Sequence, residues 1–329
     1  MGWAARARRQ WNQMHKLITS ERCSEIAGNA RRALAGLGVK LDGGADLETM
    51  IRSIEWLGAR DPAAFAGASE IDQSRAADAT LRLEQTARLA KTLNRMPRVT
   101  HSDRQLRWLR KRLDRIRQKT PDEVSKRQAE DFIFEMEIAG RLTVAPYHEV
   151  SLEEPDIVVR VEQSQIVMAC KRPRSLNSLG EAILSAAQQV GRSGHGGFVV
   201  IGSEFLLHGY VDGRPASMIE ATSDVQAIQE GERRLKDAEE NARDAIAEAF
   251  RKYPVGGVIF CDQLVYLTRD PVMIGYHWTQ LRVANPRAPA MTHAVLVLLD
   301  RCLMEKPLTP ERIAALVDWA EEKDAMATS

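Results

Sequence analysis

The apolar positions of this chain change period near its middle. Through about residue 120 they recur at three- and four-residue steps, with abundant alanine, arginine and leucine and few β-branched runs. That spacing predicts helices over about 3–36, 46–58, 70–94 and 102–118, broken near Gly36-Leu37-Gly38, Gly43-Gly44, Asp61-Pro62 and Met96-Pro97. Thr120 and Pro121 have the form of a cap and first turn, opening a further helix to about 141. Short β-branched runs then predict strands at 157–161 (IVVRV), 165–171 (QIVMACK), 197–203 (GFVVIGS) and 255–268 (VGGVIFCDQLVYLT). Helices are expected at about 178–191, 224–252, 290–305 and 310–325. Strands and helices in this alternation predict an α/β fold, a mixed central sheet flanked by helices, preceded by an α-helical region. The expected division is 1–120 and 121–329, in keeping with a length of 329 residues.

Composition narrows the class. With 44% hydrophobic and 28% charged residues the sequence has the profile of a folded globular protein. No apolar stretch approaches the roughly 18–20 residues of a bilayer helix. The basic start, MGWAARARRQW, lacks the apolar segment of a secretory signal. Cys23, Cys170, Cys261 and Cys302 lie far apart, which fits reduced thiols in a cytoplasm. The seven histidines form no H-x-x-x-H pair, so a zinc site is not expected, and no G-x-S-x-G elbow is present. The glycine-rich stretch Gly191–Gly197, with His195 in it, lacks phosphate-loop spacing and precedes a strand, so it is expected to be a turn.

The net charge of +1 conceals an asymmetry: residues 1–128 carry 26 Lys and Arg against 15 Asp and Glu, and the remainder carries 20 against 30. A basic first half is the electrostatic footprint of a phosphate-bearing partner; docking between opposite charges, within the chain or in a homodimer, is the competing account. The densest segment is 104–119. There Leu106, Leu109, Leu113 and Ile116 form one stripe, and Arg104, Arg107, Arg110, Lys111, Arg112 and Arg115 surround it. Each arginine can fork onto a phosphate, and Trp108 is placed either to stack on a base or to be half-buried.

The chemistry is expected in 130–190. Glu135 falls on the stripe of Ile138, Ala139 and Leu142, where a carboxylate needs a cation or hydrogen-bond donors. Pro155-Asp156 opens a strand, and the next strand ends in Ala169-Cys170-Lys171, with Ala169 and Lys171 on one face. Two carboxylates and a lysine meeting at a sheet edge would suit a hard divalent cation and an oriented water. Lys171, Arg172 and Arg174 together form a candidate phosphate clamp.

The order Glu135, Pro155-Asp156, Lys171-Arg172-Pro173 and a helix with Gln188-Gln189 resembles the PD-(D/E)XK superfamily of restriction-endonuclease-like nucleases, over roughly residues 121–268. The resemblance implies Mg²⁺ or Mn²⁺ at Glu135 and Asp156, a water assisted by Lys171, and a polar helix residue at Gln189, or at Gln188 in the neighbouring register. It implies phosphodiester hydrolysis, most often of DNA, in defence or DNA processing. One position departs: the second acidic residue of the motif is Ala169 here. The backbone carbonyl of Cys170 would then join Glu135 and Asp156 as a ligand, or Glu162 would replace the missing carboxylate. Glu130 and Glu137 are the alternatives should Glu135 face solvent. The rival expectation is a non-catalytic nuclease fold that binds nucleic acid or a protein partner.

Overall fold

The computed structural model describes residues 20–36, 46–60, 69–95, 123–143, 149–152, 156–161, 164–211, 214–215, 218–269 and 272–328. Three helices open the described chain: α1 (Ser20–Gly36), α2 (Asp46–Gly58) and α3 (Glu70–Arg95). Then follow α4 (Glu123–Leu142), β1 (Glu149–Leu152), β2 (Ile157–Val161), β3 (Ser164–Lys171), α5 (Leu176–Arg192) and β4 (Gly197–Gly202). After a short α6 (Glu204–His208) and a two-stranded ribbon, β5 (Tyr210–Val211) and β6 (Arg214–Pro215), comes β7 (Ile219–Ala221). The chain closes with α7 (Asp224–Asn241), α8 (Arg243–Lys252), β8 (Val255–Arg269), β9 (Val272–Ala284), α9 (Ala290–Leu303) and α10 (Pro310–Thr328). The basic segment 104–119, with all six of its named cations and Trp108, lies outside the described residues.

The sheet is mixed. β1, β2 and β3 form an antiparallel meander, β3, β4 and β8 are parallel, and β9 returns antiparallel along β8. β8 is long enough to take two partners on the edge opposite β9: β4 along residues 255–261 and β7 along 266–268. Between them α6 fills the gap. Ser203 N–H donates to the Cys261 carbonyl, and Val265 N–H donates to Nε2 of His208. Side-chain and loop groups thus satisfy ladder positions that no strand covers.

Period-two alternation sorts the core into two faces. On one, Met168, Cys170, Phe198, Val200, Ile259 and Cys261 pack with α4, α9 and the alanines of α1. On the other, Ala169, Val199, Ile201, Val258, Phe260 and Leu264 meet α5, α7 and α8. Further along β8, Val265 and Leu267, with Ile274 and Tyr276 of β9, receive α1, α2 and α3. The helices that precede residue 120 therefore share their core with the sheet.

Besides the four expected strands, the described residues form β1, the short β5, β6 and β7, and the long β9. β1 is only four residues long, and β9 contains the aromatic segment 273–278. The segment is itself a strand, and Ile274, Tyr276 and Trp278 show the alternation that marks it. The single helix expected over 224–252 is two, because Ala242 leaves helical geometry (φ −96°, ψ 3°). Asn241 precedes it and turns its amide back onto the Asp237 carbonyl at 2.7 Å, a local bond that competes with the helix ladder.

Gly275 faces Tyr266 across the β8–β9 ladder, and a methyl group there would fall 2.4–2.6 Å from the phenol ring atoms. Gly275→Ala is expected to cost about 1–3 kcal/mol by overpacking, read as a lower urea midpoint at unchanged slope.

Candidate functional site at the end of β3

Asp156 and Lys171 flank Cys170 where the β2–β3 ladder stops, and the buried Glu135 acts electrostatically on the Cys170 thiol. β2 begins at Ile157, opposite Met168, and Asp156 stands just before it. The Cys170 N–H points towards β2 beyond the last paired residue, and Oδ2 of Asp156 accepts it at 2.7 Å. The Asp156 carboxylate thereby takes the place of a strand carbonyl and is fixed in the plane of the sheet, with 3% exposure. Strand geometry turns the Cys170 carbonyl to the same side as its N–H.

Glu135 reaches this place from α4. The expected single stripe is not what buries it: α4 is enclosed on every side from Phe132 to Leu142, and Glu135 is 4% exposed. Neighbouring Glu137 is spoken for by Arg141, 3.4 Å away in a buried ion pair, and the Glu130 side chain lies outside the described residues. Arg141 also stacks on Trp278 (3.5 Å) and donates to the Leu303 carbonyl and to Oε1 of Gln263.

Lys171 ends β3 on the face of Ala169, half-buried, so the site is approached from both sides of the sheet. All three charges act on the Cys170 thiol. Burial pushes that thiol well above its ordinary range, Asp156 and Glu135 push it further, and Lys171 pulls it back. The missing acidic residue is sealed in: Ala169 has no exposed surface and packs with the α5 face. Among the described residues no three His, Cys, Asp or Glu side chains cluster closely enough to hold a metal unaided. Glu162 lies outside the described residues.

Gln189 is not brought to this cluster. To launch the parallel strand β4, α5 must run back along β3. A methyl group on Gly197, which pairs with Val167, would sit 3.1 Å from Cγ1 of Val190. Gln189 is therefore at the opposite end of the strand, about 13 Å from the level of Lys171. Gln188 is exposed. The Lys171 end is occupied instead by the first turn of α5, closed by a capping box between Ser175 and Ser178.

Arg172 also departs from its expected place in a phosphate clamp. It is 7% exposed and forms a buried ion pair with Glu204, with its guanidinium 6.0 Å from the Phe134 ring. Asp262 completes the group, accepting N–H bonds from Glu204 (3.0 Å) and Gln263 (2.8 Å). Burial raises the Asp262 carboxyl above its usual range, while Arg172 and the Gln263 amide oppose the shift. Gly202 leaves the room this requires, since a methyl group there would lie 2.5 Å from Cγ of Arg172. The sequence signal for this cluster was a charge inside an apolar strand, Cys261-Asp262-Gln263, and a second directly after one, Ser203-Glu204. Arg174 is half-buried between β3 and α5, and His195 is exposed in the turn before β4, where Gly194 adopts φ +75°.

Removing one partner of a buried pair strands the other charge. Arg172→Ala is expected to lose about 3–5 kcal/mol in urea unfolding, and the apolar double replacement Arg172→Met with Glu204→Leu much less. The four cysteines are buried and reduced, and burial pushes the Cys23 thiol up to about 11. At pH 8 the native protein is expected to resist Ellman's reagent and to yield all four thiols only after unfolding in guanidinium.

Compared with known proteins, the sequence matches no family model and no curated protein, and the fold matches no solved structure.

Proposed function

We propose that this protein is a metal-dependent nuclease of restriction-endonuclease-like fold that hydrolyses phosphodiester bonds in DNA. The observation that carries the reading is the Asp156 carboxylate bonded to the Cys170 amide beside Lys171, with the buried Glu135 of α4 acting electrostatically on the same residue's thiol. They sit on a succession of helix, strands and helix (α4, β1–β3, α5) of the kind the PD-(D/E)XK resemblance calls for.

The donor set suits a hard cation. Two carboxylates and a backbone carbonyl are oxygen ligands, and Mg²⁺ commonly binds through one or two carboxylates, substrate phosphate and several waters. When bound, Mg²⁺ or Mn²⁺ supplies Lewis-acid polarisation of the phosphoryl group and a more acidic water. The protein's own part follows from its geometry. Asp156, with Oδ2 held by the Cys170 amide, contributes a carboxylate fixed at the end of the ladder. Glu135 adds a second negative charge from the opposite face of the sheet. The Lys171 ammonium orients the attacking water and offsets charge developing on the phosphate.

Ala169 favours a second reading, a nuclease fold that binds nucleic acid or a protein without cutting, because that position offers a metal no side-chain oxygen. Incubation of the purified protein with plasmid DNA and Mg²⁺ or Mn²⁺ separates the two. Cleavage is expected, with Lys171→Ala lowering its rate by about 10²-fold or more while DNA affinity is retained. Binding without cleavage in either metal would establish the second reading in place of the first.

A further inference from the structure

We infer that a paired-arginine surface on the N-terminal helices, built on Trp56, binds the phosphate backbone of a nucleic acid. Trp56 of α2 packs its inner side against the core formed by α1–α3 and the end of the β8–β9 hairpin. Two exposed guanidiniums, of Arg60 and Arg75, each lie with their central carbon 4.0 Å from its ring. They are thus no more than about 8 Å apart, although their charges repel.

Nearby carboxylates do not relieve this repulsion. Arg31 takes Glu48 and Glu55, Arg52 shares Glu48, Arg82 takes Asp78, and Asp72 accepts from the Ser69 hydroxyl. Among the described residues neither Arg60 nor Arg75 has an ion-pair partner. Arg60 spends one N–H on the Trp56 carbonyl at 2.9 Å. Stacking on the indole holds both guanidiniums in place and leaves their edges, where the donors lie, turned outward. Two fixed forks of donors within one strand's reach suit successive phosphates better than a single small anion.

The surface stands at the correct end of the molecule. Lys171 is level with Ile201 and so with Phe260 of β8. β8 continues beyond that level, and α1–α3 pack on it from Val265 onwards, about 17 Å further in the same direction. The surface is thus displaced towards the end of the sheet at which β3 stops, on the α4 face, whereas Lys171 lies on the α5 face. The choice of nucleic acid over another polyanion rests on the nuclease reading of that site; the existence of an anion-binding surface does not.

Binding without divalent metal tests the surface apart from catalysis. Anisotropy of a labelled single-stranded oligodeoxynucleotide is followed against the full-length protein in EDTA over a range of NaCl concentrations. Arg60→Gln with Arg75→Gln is expected to weaken binding about tenfold near physiological salt and to reduce the slope of log K against log salt by about 1.4. Arg52→Gln, also exposed but paired with Glu48, is expected to alter the slope much less. An unchanged slope in the double variant, or an equal change in Arg52→Gln, would overturn the proposal. So would absence of binding by the wild-type protein, or equal affinity for polyglutamate, which would reassign the surface to acidic proteins. Loss of cleavage on Lys171→Ala is read separately, so failure of the catalytic reading leaves this outcome legible.

Discussion

Enclosing a helix on all sides while it carries two carboxylates is the constraint around which this molecule is arranged. From Phe132 to Leu142, α4 lies between the sheet, α3 and α9, with Glu135 and Glu137 both inside. A charge there is tolerated only with company. Glu137 has Arg141, whose guanidinium in turn ties α4 to β8, β9 and the end of α9 through Gln263, Trp278 and the Leu303 carbonyl. Glu135 is directed instead to the place where β2 and β3 part and where Asp156 and Lys171 also arrive. One turn of helix therefore serves two purposes, one carboxylate holding the layers together and the other left at the rim of the sheet.

Much of the fold was legible because it depends on local pattern. The strands at 157–161 and 165–171 and the helix at 46–58 have strong periodicity and clear punctuation, and each forms within a residue of its expected bounds. Asp156 was legible for the same reason, since a proline and an aspartate before a β-branched run mark a strand's mouth. Other features depend on topology, which periodicity does not carry. Gln189 looks close to Lys171 in any linear motif, yet a helix joining two parallel strands must carry its last residues to the far end of the sheet. Arg172 looks like a partner for phosphate because it follows Lys171; its burial is decided by Glu204 and Asp262, 32 and 90 residues away.

The two charged clusters at the C-terminal ends of the parallel strands differ in how far their cations are buried. Arg172, Glu204 and Asp262 are all buried, and burial raises the Asp262 carboxyl above its usual range. At Cys170 two buried carboxylates, Glu135 and Asp156, are accompanied by a lysine that is only half-buried.

The length of β8 has an architectural consequence. Its odd-numbered residues from Ile259 to Leu267 serve first the core around α4 and then the core beneath α1–α3, while the even-numbered ones serve α5 and α7 throughout. An inserted residue anywhere in this span would reverse the downstream faces and set phenylalanine or tyrosine rings where small side chains now fit. The strand acts as a common ruler for both halves of the chain, so this stretch should admit substitution far more readily than any change in its length.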